Sequence, residues 1–191
     1  MFLADIDIKQ AIEQEIITII PYDRKYIRPA SICLRLGYNI LEFTPNTNDF
    51  QVDLKNQKTY PLQRKATIGK EKGFALAPHD FILACTFERI SISRSIAGWI
   101  SGLSGLARLG LQIALSNLVS PGYGESSPST LTLEITNFSN YPITLYPEMR
   151  ICHLAFIIMS NPSETGYDSL VGTYSNQDFP RESIYFTEFK K

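Results

Sequence analysis

Histidine and cysteine are scarce in this 191-residue chain: it has two His and three Cys. His79 and His153 are far apart, and no Cys-x-x-Cys occurs. The paired His-x-Glu and Pro-Cys-x-x-Cys signature of zinc nucleobase deaminases is missing, so a catalytic zinc is not expected. An odd, scattered set of thiols (Cys33, Cys85, Cys152) is no disulfide framework and reads as reduced cysteines of a cytoplasmic protein. An excess of one charge is also lacking. Lys plus Arg number 18 against 19 Asp plus Glu, a net charge of -1, which gives no general attraction for nucleic acid or an anionic membrane. No apolar run approaches the ~20 residues of a membrane span. The opening MFLADIDIKQ has acids where a secretory signal has bases. There is no internal repeat, no P-loop and no Gly-x-Ser-x-Gly elbow.

What is present is a core. Hydrophobic residues make up 44% and aromatics 12%, enough for one domain. Ile8, Ala11, Ile12 and Ile16 recur at helical spacing, with Asp5 as a cap and Pro21 as the latest stop. From about residue 27, short apolar runs alternate with Pro, Asn, Gly and Asp breaks. Segments 31–43, 81–92, 131–136, 142–146 and 149–159 read as strands, and many such strands imply an all-β sandwich or barrel. Segments 46–60 and 124–129 read as surface loops, the second as a mobile one.

Three places could carry chemistry. Residues 98–111 hold four Gly and then a Leu/Ala/Arg run suited to a short helix. This is either a tight capped turn or a set of backbone N–H groups facing an anion. Segment 131–136 alternates strictly, putting Thr132, Glu134 and Thr136 on one face. Glu134 is then either an outward residue of a half-exposed sheet or a partly buried carboxylate that carries protons. Cys152 and His153 are adjacent, but neighbours on a strand face opposite ways. Cys152 therefore reads as core and His153 as a partly exposed sheet residue.

The ordered series of motifs resembles the dCTP deaminase branch of the dCTP deaminase/dUTPase superfamily over most of the chain. Leu3-Ala4-Asp5-Ile6-Asp7-Ile8, Ile27-Arg28-Pro29-Ala30-Ser31, Leu34-Arg35-Leu36-Gly37 and Pro78-His79-Asp80-Phe81 come in family order. The strongest match is Gly102-Leu103-Ser104-Gly105-Leu106-Ala107-Arg108-Leu109-Gly110-Leu111, where the family pattern is Gly-Arg-Ser-Ser-x-Ala-Arg-x-Gly-Leu. Pro121-Gly122-Tyr123, Glu134, Gly166-Tyr167 and Gln177 follow.

The resemblance implies a mainly β fold, a β-clip or distorted jelly-roll barrel of the dUTPase-like type, with an N-terminal helix and a short central helix. It implies a β domain over residues 1–160, and a tail over 161–191 that closes on the nucleotide. It also implies a homotrimer with active sites between subunits, and zinc-independent deamination of dCTP to dUTP. Glu134 matches the catalytic glutamate, Ser104 the hydroxyl that positions the water or the developing charge, and Arg108 the arginine that organises the site. Ser104, Gly105, Leu106, Ala107 and Arg108 would hold phosphates, with Mg²⁺ bound through those phosphates. Thr132, Leu133 and Glu134 would face the base, and Tyr167 and Gln177 would close over it.

The departures are as specific as the matches. Leu103 stands where the family has an arginine, Gly105 replaces a serine, Cys33 an aspartate, Ser120 the aspartate before Pro-Gly, and Thr173 the tail lysine. The loss at Ser120 argues against triphosphate hydrolysis. Losing two cations weakens phosphate binding, at roughly 1.5–3 kcal/mol per charge-assisted contact. Arg150 or Arg181 could compensate, but the sequence does not place them. Two alternatives stay open: a non-catalytic nucleotide-binding or regulatory protein on the same scaffold, and a deaminase of a less phosphorylated cytidine nucleotide.

Overall fold

The computed structural model describes residues 1–44, 51–170, 174 and 177–190. Thr173 and part of the expected loop at 46–60 lie outside the described residues. In chain order the elements are α1 (Asp5–Glu13), β1 (Ile17–Ile20), β2 (Ile27–Arg28), β3 (Ser31–Thr44), β4 (Leu62–Thr67), β5 (Phe74–Leu76), β6 (Phe81–Ile92) and β7 (Ile96–Gly102). There follow α2 (Ser104–Ala107), β8 (Leu111–Gln112), β9 (Leu118–Val119), β10 (Ser129–Asn137), β11 (Ile143–Leu145), β12 (Arg150–Ile158) and α3 (Tyr167–Leu170). The fold is mainly β, as expected, and the expected strands lie within two residues of the observed ones. No helix among the described residues is long and apolar enough to cross a membrane.

The N-terminal helix is shorter than its periodicity suggests. Asp5 is not the cap: it is the first helical residue, and its carboxylate pairs with Lys9 one turn on at 2.6 Å. Ala4 occupies the cap position, and its N–H donates to the Asp7 carboxylate at 3.0 Å. Ile8 and Ala11 are buried, but the helix stops at Glu13 and Glu15 turns to a positive φ of 58°. The β-branched run that follows prefers a pleated conformation, and Ile17–Ile20 forms β1 against β6.

Ten strands are hydrogen-bonded in the order β8-β10-β6-β3-β12-β7-β9, with β1 on β6 and β2 and β4 on β3, while β5 and β11 form a separate ladder. The first half of β3 pairs with β12, from Ile32↔Leu154 to Arg35↔Arg150. Its second half pairs with β6 and β4, and the register against β6 shifts between Leu36 and Ile40. The crossing point needs a glycine. A Cβ at Gly37 would lie 2.8 Å from Cys85 Sγ and 2.9 Å from the Cys85 carbonyl oxygen. The strand thereby leaves one layer for the other, as corner strands of sandwiches do. Between the layers lie Ile8, Leu34, Leu36, Ile90, Leu133 and Phe156, all fully buried.

A charged pair is buried beside this corner. Glu88 is 2% exposed; its carboxylate accepts the Arg35 backbone N–H at 2.8 Å and the Arg35 Nε–H at 2.7 Å. The Arg35 guanidinium lies 4.4 Å from the Phe87 ring centre and 5.0 Å from that of Tyr26. Removing Glu88 would leave the largely buried Arg35 guanidinium with only the looser Glu148 carboxylate, 3.7 Å away. Glu88→Ala is expected to lower the unfolding free energy by about 3–5 kcal/mol in urea titrations; a loss under ~1 kcal/mol would show that the pair contributes little.

Candidate active site

A bulge sets up the first cavity. The register of β10 against β6 shifts between Thr130 and Thr132. The displaced Leu131 N–H donates to Thr86 Oγ1 at 3.0 Å, and Tyr123 OH donates to the Thr130 carbonyl at 2.6 Å. Beyond the bulge the strict alternation holds: Leu131, Leu133 and Ile135 are buried, while Thr132, Glu134 and Thr136 are half-buried on the other face. Leu133 points into the core, so only its backbone could meet a ligand.

Thr132 and Glu134 line a cavity of about 590 Å³ with Phe43, Tyr60, Phe81, Ser116, Ser120, Tyr167, Gln177 and Arg181 among its walls. Glu134 is the one carboxylate among the described residues that line it. Glu134 Oε2 accepts the backbone N–H groups of Leu115 at 3.1 Å and Ser116 at 3.2 Å. One carboxylate oxygen is thus anchored to the chain, and neither of these bonds uses Oε1.

Tyr167, Tyr174 and Gln177 bring the C-terminal segment to this cavity. The Gln177 carbonyl accepts the Thr130 N–H and hydroxyl at 3.1 and 2.9 Å. Its side chain takes the Thr132 hydroxyl at 3.1 Å and donates to the Tyr174 carbonyl at 2.6 Å. Tyr167 stacks obliquely on Tyr123, ring centres 5.5 Å apart. Burial, above all, raises the phenol pKa of both. Gly122 and Gly166 explain that seat. Gly122 has φ 77°, and a Cβ on it would stand 2.5 Å from the Gly166 Cα, so the two backbones touch. The loop at 124–129 is fastened rather than loose. Asp168 accepts the Gly124 and Ser126 N–H groups, and Arg94 pairs with Glu125 at 3.0 Å.

Ser104 does not share this cavity. With Gly105 and Leu106 it lines a second one, of about 650 Å³, together with Arg28, Cys33, Leu103, Arg150 and His153. Adjacent strands explain the grouping. β7 runs into the α2 turn, β12 lies beside β7 and carries His153, β3 lies beside β12 and carries Cys33 directly opposite, and β2 carries Arg28. Inside α2 the Leu106 and Ala107 N–H groups already donate to the Leu103 carbonyl, which leaves those of Ser104 and Gly105 for a ligand. Ala107 and Arg108 are exposed, Arg108 ends the turn, and neither lines the two cavities. Within one chain, therefore, Glu134 is separated from Ser104.

The adjacent Cys152 and His153 behave as alternation requires. Cys152 is fully buried, and burial raises its thiol pKa, as it raises that of Cys85 to about 11. His153 Nδ1 lies 3.1 Å from Ser31 Oγ and 3.6 Å from Cys33 Sγ. No sequence signal marks this group, because strand register, which brings residues 31, 33 and 153 together, is invisible in the spacing. Arg150 and Arg181 are now placed, one in each cavity. The Mg²⁺ implied by the resemblance is bound through the nucleotide's phosphates and is a hard cation that takes oxygen ligands. The second cavity offers it one serine hydroxyl beside two guanidiniums, an imidazole and a thiol, and no carboxylate. That donor set does not fit a protein-held Mg²⁺.

Burial, then the positive field of Arg28 and Arg150, holds the His153 imidazole below its ordinary value of 6.5. As pH falls through that value the unfolded chain takes up a proton that folded His153 resists, so stability decreases toward acid. An NMR titration should show His153 with a midpoint below 6.5, moving up in Arg150→Gln. A midpoint above the ordinary value would contradict this electrostatic picture.

Known proteins resemble this chain. A dCTP deaminase-like family model matches residues 2–159. A protein of Dictyoglomus thermophilum named "dCTP deaminase, dUMP-forming" is 34% identical over 195 residues, covering 100% of this chain and 98% of that one. Its namesake in Tropheryma whipplei is 33% identical over 192 residues, covering 99% and 95%. The crystal structure of 2'-deoxycytidine 5'-triphosphate deaminase from Agrobacterium tumefaciens matches 83% of this chain with a TM-score of 0.61 at 19% identity; this chain spans 48% of that one. The likeness to that structure bears on the fold, while the family match and the full-length relatives carry the assignment: the chain belongs to the dCTP deaminase-like family.

Proposed function

We propose that this protein deaminates dCTP hydrolytically, with Glu134 moving the protons. The observation that carries the reading is the half-buried Glu134 carboxylate, the one acid among the described residues lining its cavity, with Oε2 anchored by two backbone N–H groups. In the reaction, a water oxygen bonds to C4 of the cytosine as Glu134 takes the water's proton and delivers it to N3. Glu134 then takes the remaining hydroxyl proton and gives it to the exocyclic amine. The C4–N4 bond breaks, C4 becomes a carbonyl, and dCTP and water become dUTP and ammonia. One anchored carboxylate can serve each transfer in turn. Ser104 positions the water or the charge developing on C4, and Arg108 organises the carboxylate through its fixed guanidinium. Thr132 faces the base, and Tyr167 and Gln177 close over it. The reading needs no zinc, because one anchored carboxylate can carry each proton transfer.

The separation of Glu134 from Ser104 and Arg108 supports a homotrimer in which one subunit's first cavity meets the α2 turn of its neighbour. Apolar surface supports the same assembly. Trp99 and Leu118 are opposed across β7 and β9, and are 44% and 59% exposed. Ser120 lines the first cavity where the family has an aspartate, and this favours dUTP as the released product. The names of the relatives favour dUMP, so product identity is part of the test.

Purified protein should release ammonia from dCTP and elute near three times its 21.6 kDa chain mass. Glu134→Gln should reduce release by at least ~10²-fold, with unchanged circular dichroism. Chromatography should show dUTP; a dUMP peak would mean that the triphosphate is also cleaved. Intact trimers that release no ammonia from dCTP, dCDP or dCMP would favour the nucleotide-binding reading instead.

A further inference from the structure

Arg28 and Arg150 line one cavity, and neither has an acidic partner among the described residues. Arg28 Nη1 donates to the Lys25 and Ile27 carbonyls, both at 2.8 Å, which orients the guanidinium without neutralising it. Arg150 is exposed and sits directly opposite Arg35 in the β3–β12 ladder. Arg35 is largely buried and compensated by Glu88 and Glu148, whereas Arg150 is exposed and has no acidic partner among the described residues. His153, Cys33 and Ser104 complete the wall, and no carboxylate is among the described residues that line it. A concave surface with two uncompensated guanidiniums and no acid favours a polyanion. The position that carries the family's phosphate-pairing arginine is Leu103, an apolar side chain on the same wall.

We propose that Arg28 and Arg150 bind the nucleotide's polyphosphate directly, replacing the missing cation at Leu103 and making phosphate binding independent of Mg²⁺. This rests on the dCTP reading for the identity of the nucleotide, while the phosphate site itself is testable without it. Guanidinium forks pair with phosphate oxygens bidentately and need no metal to bridge them. The donor set, poor for a hard cation, is suited to this role.

Inorganic tripolyphosphate is the probe, titrated calorimetrically into the full chain in EDTA. Saturable binding is expected, weakened about 10-fold or more in Arg150→Gln and in Arg28→Gln. Arg150→Lys should bind between wild type and Arg150→Gln, since it keeps the charge and loses the fork. Arg64→Gln removes the same charge from the surface pair with Glu42 and should bind as wild type. The His153 imidazole NMR signal should shift on titration. Arg150 is exposed, so its substitution tests the idea even if Arg28→Gln fails to fold. Binding that appears only when Mg²⁺ is added overturns the proposal, as does binding in EDTA unchanged by Arg150→Gln. Tripolyphosphate binding by a protein that deaminates nothing would sink the deaminase reading alone. Deamination with Mg²⁺-dependent phosphate binding would sink this proposal alone.

Discussion

A strand that serves two layers must cross between them, and in this chain the crossing is made at Gly37. Only a residue without a Cβ can pass the Cys85 backbone and sulfur at that distance. The buried Glu88 carboxylate then holds the Arg35 amide and guanidinium just before the crossing, so the corner is held by charge as well as by shape. Both cavities inherit their positions from this corner. The half of β3 before Gly37 builds the wall with Cys33 and the neighbouring His153, and the half after it pairs with β6, which carries β10 and Glu134.

The same arrangement keeps the acid and the cationic turn apart within a subunit. Placing them in separate cavities leaves their approach to assembly and to the substrate. In the proposed trimer the nucleotide bridges them, with its base toward Glu134 and its phosphates toward the α2 turn.

The departures from the family pattern that the resemblance implies fall where charge would be handled. Around the first cavity the contacts are close: Gly122 touches Gly166, Tyr123 seats Tyr167, and Gln177 docks on the Thr130 bulge. At Leu103, Gly105, Cys33 and Ser120 the polar groups have changed, and three of these four line the second cavity, which also holds Arg28 and Arg150. A cavity that has lost one cation and one carboxylate position, yet has two free guanidiniums, has its balance shifted toward direct anion pairing.

Much of this was legible in the residue order alone. Alternation in segment 131–136 put Thr132 and Glu134 on one face and Leu133 in the core, because the side-chain period of a strand is two whatever its partner. The same rule separated Cys152 from His153. The spacing of Ile8 and Ala11 marked the helix, although its end was misread, since propensity in a run of isoleucines yields to the pairing of β1 with β6. Register and layer crossing were not legible, because both depend on residues far apart in sequence. His153 opposite Cys33, Arg150 beside the Ser104 turn, Glu88 under Arg35, and Glu134 and Ser104 in different cavities were all decided by which strands lie side by side. Local order determined what each segment could be and which way its side chains alternate; only the packed sheet determined which of those side chains meet.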